Sequence, residues 1–477
     1  MEYRSCFKRL SVLEFFRANI NGGLILKNSN LLVGLDIGTT SIKAVVADSG
    51  KVIGAVATPN TGMRHGQVID IDQTAIAVSR ALKSVAEKTN AKIYSVVAGI
   101  PVGMLQLETA TGFFNVGEQG REVSDYDVKK VIQSAIHSVA KDNREAITFL
   151  PSSFLIDGKT KVDDPRKMIA RSLGVSGILL TAPTGPLHNI KKVIERAGYY
   201  NNFFVPTPLA ISSVALNESE RTFGSIIVDL GGGVSTATVI KGSQIKYANI
   251  DLEGGSDITS DISTVLSISK RDAEQIKLDY GYADSSFASK NGKFAINSIG
   301  TNRQRMIDEV YLSEIINARL EQILTRLGKG LAKHHYLRQP GGIVITGGTS
   351  LLEGIDSLTA NGLNVKARNY QPDQIGMRNP IYTVAYGIVN YSYEMSEIDY
   401  LVNGVIYGFG ENVDEEPKSE SKSSKIFKST ASTSESEDKE AYNKNKMSNK
   451  STASISKKDS DEDKPNILKS FFKKFFD

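Results

Sequence analysis

Tryptophan is absent from the 477 residues and cysteine occurs once. The solitary Cys6 excludes an internal disulfide and a cysteine-based zinc site, and it fits a reducing cytoplasm. Charge of one sign is not in excess: 57 Lys and Arg stand against 53 Asp and Glu, a net +4. That balance, spread evenly along the chain, points away from nucleic acid. No stretch approaches the roughly eighteen apolar residues that a membrane-crossing helix needs. Residues 1–30 also lack the unbroken apolar run and small-residue cleavage site of a signal peptide, and they read as an extension of no assigned role. What is present is a hydrophobic fraction of 40%, enough for a globular core. The chain is long enough for several packed units rather than one.

From 411 to 464, Ser, Lys, Glu and Asp dominate, and large apolar residues shrink to a handful such as Ile426, Phe427 and Ile455. Such a segment cannot bury enough surface to offset its chain entropy, so it reads as a disordered linker. The last residues, 465–477, read differently. On a helix, Ile467, Leu468, Phe471, Phe472, Phe475 and Phe476 fill one half of the circumference, with Lys469, Lys473 and Lys474 on the other. At about 1.5 Å per residue the segment is far shorter than the roughly 30 Å hydrocarbon core, so it lies on a membrane or docks in a partner's groove. Its six apolar side chains represent a gross gain on the order of 10 to 15 kcal/mol on burial, largely offset by the ordering of the chain. One copy is therefore a weak, reversible anchor.

Between these ends a pattern occurs twice. LLVGLDIGTTSIKAVVAD and SIIVDLGGGVSTATVIKG each hold a buried strand, then Asp-x-Gly, a small-residue turn, and a second β-rich strand. In the turns, Gly38, Thr39 and Thr40, and Gly231, Gly232 and Gly233, leave backbone N–H groups free to point at an anion. Asp36 and Asp229 stand at strand ends, where they can hold a hydrated Mg²⁺. One such turn is ordinarily just a hairpin; two imply a pair of loops that clamp phosphates. A third element, GGIVITGGTSLLEGI, passes through Gly347, Gly348 and Thr349, where a base and ribose can approach the backbone closely. In a fourth, Glu274 and Lys277 share a helix face and either pair with each other or hold adenosine.

Together with GMRHGQVIDID and VVAGIP, these motifs resemble the actin, Hsp70 and sugar-kinase ATPase superfamily, and within it the FtsA family of bacterial division proteins. The resemblance covers about 31–410 and the terminal dozen residues. It implies an α/β fold of two related actin-like halves: the first 31–104 with 184–221, the second 222–265 with 336–410. An inserted β-α-β-β subdomain would occupy 105–183 and a small helical subdomain 266–335. It further implies a protein that binds ATP and Mg²⁺ and polymerises on the cytoplasmic face of the cell membrane at the division site. There it would anchor the FtsZ ring, bind anionic lipids through its final helix, and recruit later division proteins. The FtsZ tail would dock on the small subdomain, where Asn317, Arg319 and Gln322 are expected together on the polar side of a long helix. Arg319 is the expected partner of a peptide carboxylate.

Hydrolysis needs a group that orients the attacking water. The stretch VPTPLAISSVAL at 205–216 offers no carboxylate or amide before Asn217, which predicts slow ATPase activity at most and no assigned catalytic residue. Two rivals share the expected fold: a kinase, which needs an acidic base in the cleft and has no use for a disordered linker ending in an amphipathic helix, and a pilus-assembly scaffold, which has the same nucleotide site but usually no such tail.

Overall fold

The computed structural model describes residues 31–408 apart from 140 and 300–303. The extension at 1–30, the linker at 411–464 and the terminal helix at 465–477 lie outside the described residues.

The first half opens with three antiparallel strands, β1 (Leu31–Ile37), β2 (Ser41–Asp48) and β3 (Lys51–Pro59). Helix α1 (Ile71–Thr89) packs on them through Val78, Ala81, Leu82 and Val85, a stripe at helical spacing. Its ends are fixed locally: the Asp70 carboxylate accepts from the Gln73 N–H, and Asn90 takes the left-handed conformation that ends the helix. Strand β4 (Ser95–Ile100) then runs parallel to β1.

The chain next builds the inserted subdomain: β5 (Gln106–Asn115), α2 (Asp125–Ser138), β6 (Arg144–Ile156), β7 (Thr160–Val162) and β8 (Ser172–Pro183). The sheet order is β7-β6-β8-β5, antiparallel throughout. The main elements follow the expected β-α-β-β order. Helix α2 lies so close to β5 that a Cβ on Gly112 would sit 2.2 Å from the Val131 carbonyl oxygen. At its N-terminus the buried Asp127 accepts from the Ser124 N–H and from both terminal nitrogens of Arg121, at 2.7 Å each.

Helix α3 (Thr184–Arg196) and β9 (Tyr200–Pro206) return to the first sheet, where β9 pairs parallel to β4. Helices α4 (Thr207–Ala215) and α5 (Glu218–Phe223) lead into the second half, with β10 (Ser225–Leu230), β11 (Ser235–Lys241) and β12 (Gln244–Asp251). Helix α6 (Gly255–Leu266) leads into the small subdomain, which holds α7 (Lys270–Tyr280), a hairpin of β13 (Lys293–Asn297) and β14 (Gln304–Asp308), and the long α8 (Glu309–Lys333). The chain then adds β15 (Ile343–Thr346), α9 (Ile355–Leu363) and β16 (Ala367–Asn369) to the second sheet. The two large sheets read β3-β2-β1-β4-β9 and β12-β11-β10-β15-β16, each three antiparallel strands followed by two parallel ones. The repeat seen in the sequence is thus a repeat of topology.

The last two helices depart from the expected division. The expected second half takes in 336–410, yet α10 (Thr383–Glu394) and α11 (Glu397–Tyr407) pack elsewhere. Val384 and Ile388 join Val33 and Leu35 in the first-half core, and Leu401 and Val402 complete the core of the insert beside Phe149 and Phe154. The Tyr407 hydroxyl closes this arrangement: it donates to the Ile147 carbonyl (2.7 Å) and accepts from the Phe204 N–H (3.3 Å). The insert therefore depends on residues distant in sequence. Leu401→Ala is expected to cost about 2 to 4 kcal/mol, read by hydrogen exchange as selective loss of protection across β6 and β8. Unchanged protection there would show that α11 is no part of the insert's core.

Candidate functional site

The two Asp-x-Gly turns sit at the ends of β1 and β10, the equivalent central strands of the two sheets. In the first, the Gly38 N–H donates to the Ser41 carbonyl (3.2 Å), and Asn60 holds the Gly38 carbonyl at 2.9 Å. In the second, the Gly231 N–H donates to the Val234 carbonyl at 3.0 Å. The turns face one another. A Cβ on Gly232 would lie 2.4 Å from the Thr40 hydroxyl, and one on Gly233 2.6 Å from the Thr39 methyl. The six expected loop residues thus form one place, and glycine is required in the second loop because the first loop's threonines fill the space.

Asp36 and Asp229, at the ends of the strands that lead into these loops, are near enough for the Asp36 charge to act on Asp229. Lys43, opposite Asp36 in the β1–β2 ladder, forms an ion pair with it at 3.1 Å. Burial pushes the Asp229 carboxyl up to about 7; the Asp36 carboxylate adds to the rise and the Lys43 ammonium opposes it. Excess negative charge of this kind is what a divalent cation relieves. Among the described residues no group of three or more His, Cys, Asp or Glu has metal-holding geometry. The Asp36 and Asp229 carboxylates would suit a Mg²⁺ that keeps waters and phosphate oxygens as its other ligands. Lys43 went unremarked in the sequence, although counting the hairpin register from Asp36 finds it.

The third element closes on the same point. Gly347 has φ +96°, and a Cβ there would lie 2.5 Å from an Asp229 carboxylate oxygen. Beyond Gly348, the Thr349 hydroxyl donates to the Gly231 carbonyl at 3.2 Å. Of the two alternatives for the fourth element, the structure has the pair: the buried Lys277 ammonium donates to Glu274 (2.7 Å), the Thr259 hydroxyl (2.8 Å) and the Gly255 carbonyl (3.0 Å). Sequence reasoning also missed Gly254 and Gly255, which open α6. The Gly255 N–H donates to the Gly231 carbonyl (3.0 Å) and the Ser256 N–H to the Gly232 carbonyl (2.7 Å), so this segment braces the second loop from behind.

The expected trio on α8 does not form one patch. Positions 317 and 319 are about 200° apart on a helix. Asn317 donates to the Ala283 carbonyl at 3.0 Å on one side. On the other, Arg319 spans Asp261 (2.6 and 2.8 Å), Glu253 (2.8 Å) and Gln322 (2.7 Å). Its guanidinium is therefore already matched by two carboxylates.

No helix among the described residues is long and apolar enough to cross a membrane. The family model of the cell division protein FtsA matches residues 226–387, and that of the SHS2 domain inserted in FtsA matches 103–181. A cell division protein FtsA from Enterococcus hirae is 38% identical over 387 residues, 80% of this chain and 88% of that protein. One from Enterococcus faecalis is 37% identical over the same length and shares. Among solved structures, a PilM-PilN type IV pilus biogenesis complex aligns with a TM-score of 0.53 at 15% identity, over 76% of this chain and 99% of that chain, a likeness that bears on fold alone. With an actin-like fold of two matching sheets, the insert in its place and this identity across most of its length, the chain belongs to the FtsA family of cell division proteins.

Proposed function

We propose that this chain binds ATP with Mg²⁺ between its two glycine-bearing loops, self-associates, and ties the FtsZ ring to the cytoplasmic face of the cell membrane. The observation that carries the nucleotide reading is the meeting of Thr39 and Thr40 with Gly232 and Gly233 in front of Asp36, Asp229 and Lys43. In this reading the loop N–H groups other than those of Gly38 and Gly231, which are taken within their own turns, hold phosphate oxygens together with Lys43, and Asp36 and Asp229 orient the metal's waters. Adenosine lies along Gly347 to Thr349, near Glu274 and Lys277. The bound metal supplies positive charge to the phosphates. Helix α4 carries no carboxylate or amide side chain to orient an attacking water, which favours nucleotide as a ligand of the closed state over rapid turnover.

The FtsZ tail docks on the small subdomain, with Arg319 and Gln322, which share one side of α8, as contacts. Its carboxylates would compete with Asp261 and Glu253 for Arg319. Residues 465–477 lie on anionic lipid, and many copies on one polymer bind together at high effective concentration. Later division proteins are recruited to the assembled surface.

Two measurements on the full chain test this. A fluorescent ATP analogue should bind in the presence of Mg²⁺ and be displaced by ATP, with turnover well below one per second; turnover of several per second overturns the ligand reading. Co-sedimentation with vesicles containing anionic lipid should be lost on deleting 465–477 or on replacing Phe471 and Phe475 with Glu, while analogue and FtsZ-tail binding persist. Continued sedimentation would favour a partner's groove as that helix's site.

A further inference from the structure

The second phosphate-facing loop is braced by Gly255 and Ser256, and that brace is itself held from the small subdomain. The segment between β12 and α6 carries Asp251 and Glu253. Glu253 is gripped by two arginines of α8, Arg319 at 2.8 Å and Arg326 at 2.9 Å. Asp251, buried, accepts from Arg326 at 3.1 Å and from the Glu253 N–H at 3.2 Å. The Ser235 hydroxyl, at the start of β11, holds the Glu253 carbonyl at 2.8 Å. Arg319 reaches further, to both oxygens of Asp261 on α6. Arg319 and Arg326 stand seven residues apart, two helical turns on one face, and both reach the segment that sets where Gly231 and Gly232 lie.

We infer that Glu253, clamped between Arg319 and Arg326, is a positioning residue that couples nucleotide at the Gly231–Gly233 loop to the placement of α8 and hence of the small subdomain. The inference rests on the nucleotide reading above and adds to it a route of regulation. Nucleotide between the loops acts on Gly231 and Gly232, whose carbonyls are the acceptors for Gly255 and Ser256. A shift there moves Glu253 at the other end of a three-residue segment, and charge-assisted hydrogen bonds to two arginines pass the shift to one rigid helix. Coupling between sites is reciprocal, so a carboxylate-rich ligand that draws Arg319 away from Glu253 changes nucleotide affinity in turn.

The test is hydrogen exchange by mass spectrometry on the full chain with and without Mg·ATP, alongside analogue affinity and thermal unfolding. In the wild type, Mg·ATP should slow exchange in the 229–235 loop and, by about fivefold or more, the low end of ordinary coupling, in the 309–333 helix. Glu253→Gln should keep the loop's response and lose that of the helix, whereas the conservative Glu253→Asp keeps both. Arg326→Gln, which leaves Arg319 in place, should give an intermediate loss and serves where Glu253→Gln unfolds. A merely structural role would lower the unfolding temperature without uncoupling the two responses. Equal helix protection in Glu253→Gln and the wild type overturns the inference while leaving the nucleotide reading intact. Absence of analogue binding and of loop protection in the wild type overturns the nucleotide reading itself.

Discussion

Replacing Asp229 with Asn is expected to weaken Mg-dependent nucleotide binding by about a hundredfold, roughly 2.7 kcal/mol, while making the nucleotide-free protein more stable at neutral pH. Both effects have one cause. The Asp229 carboxyl is raised to about 7 because burial and the Asp36 charge disfavour its ionised form. A carboxyl raised on folding binds its proton more tightly in the folded state. Its favourable contribution is therefore fully present below its ordinary value near 4 and is lost as pH climbs through about 7. Asp229 keeps some contact with solvent, so the expected difference is about 1 to 2 kcal/mol. Thermal unfolding at pH 8 should favour the Asn variant, with the gap closing toward pH 4. Wild-type affinity for Mg·ATP should fall from pH 8 to pH 6, as the proton competes with the cation. An Asn variant with undiminished Mg-dependent affinity would remove Asp229 from the metal site.

The second large effect lies where α4 and α10 cross. A Cβ on Gly387 would stand 2.1 Å from the Ala210 carbonyl oxygen, a contact with backbone that no rotamer change relieves. The Ser213 hydroxyl lies between the Ala210 and Gly387 carbonyls, and Asn390 donates to the Ser213 carbonyl at 3.2 Å, so the helices cannot part freely. Gly387→Ala gains up to about 1 kcal/mol of helix propensity but forces the backbones apart, for a net loss of about 3 kcal/mol in urea unfolding. Gly185→Ala is the control: also in a helix, it has open space around its Cβ and should be neutral or slightly stabilising. Equal midpoints for the two variants would mean that the crossing has slack.

What the sequence made legible was local or repeated. Asp36-x-Gly38 and Asp229-x-Gly231 each predict a strand end and an anion-facing turn from neighbouring residues alone, and their duplication implied that the turns face each other. The insert was expected from the resemblance, and its helix buries Val128, Val131, Ile132 and Ala135 at the helical spacing that the sequence carries. The fate of α10 and α11 was not readable: an apolar stripe says that a helix is buried, not against which sheet, and Leu401 finds Phe149 across a long stretch of chain. Arg319 shows the same limit, since its partners Asp261 and Glu253 come from segments with no local tie to α8. The 317 and 319 separation, by contrast, follows from helix geometry alone.

The return of α10 to the first half has a mechanical consequence. The backbone crosses between the halves twice, once from β9 through α4 and α5 to β10, and once from β16 back to α10. Two bodies joined at two points keep one easy degree of freedom, rotation about the line through both joints, while sliding and twisting strain a covalent connection. The contact of α4 with α10 at Ala210 and Gly387 sets the two helices backbone to backbone, as a bearing does with its shaft. Nucleotide between the loops would set the angle of that hinge, and everything carried on either half would swing with it as a lever.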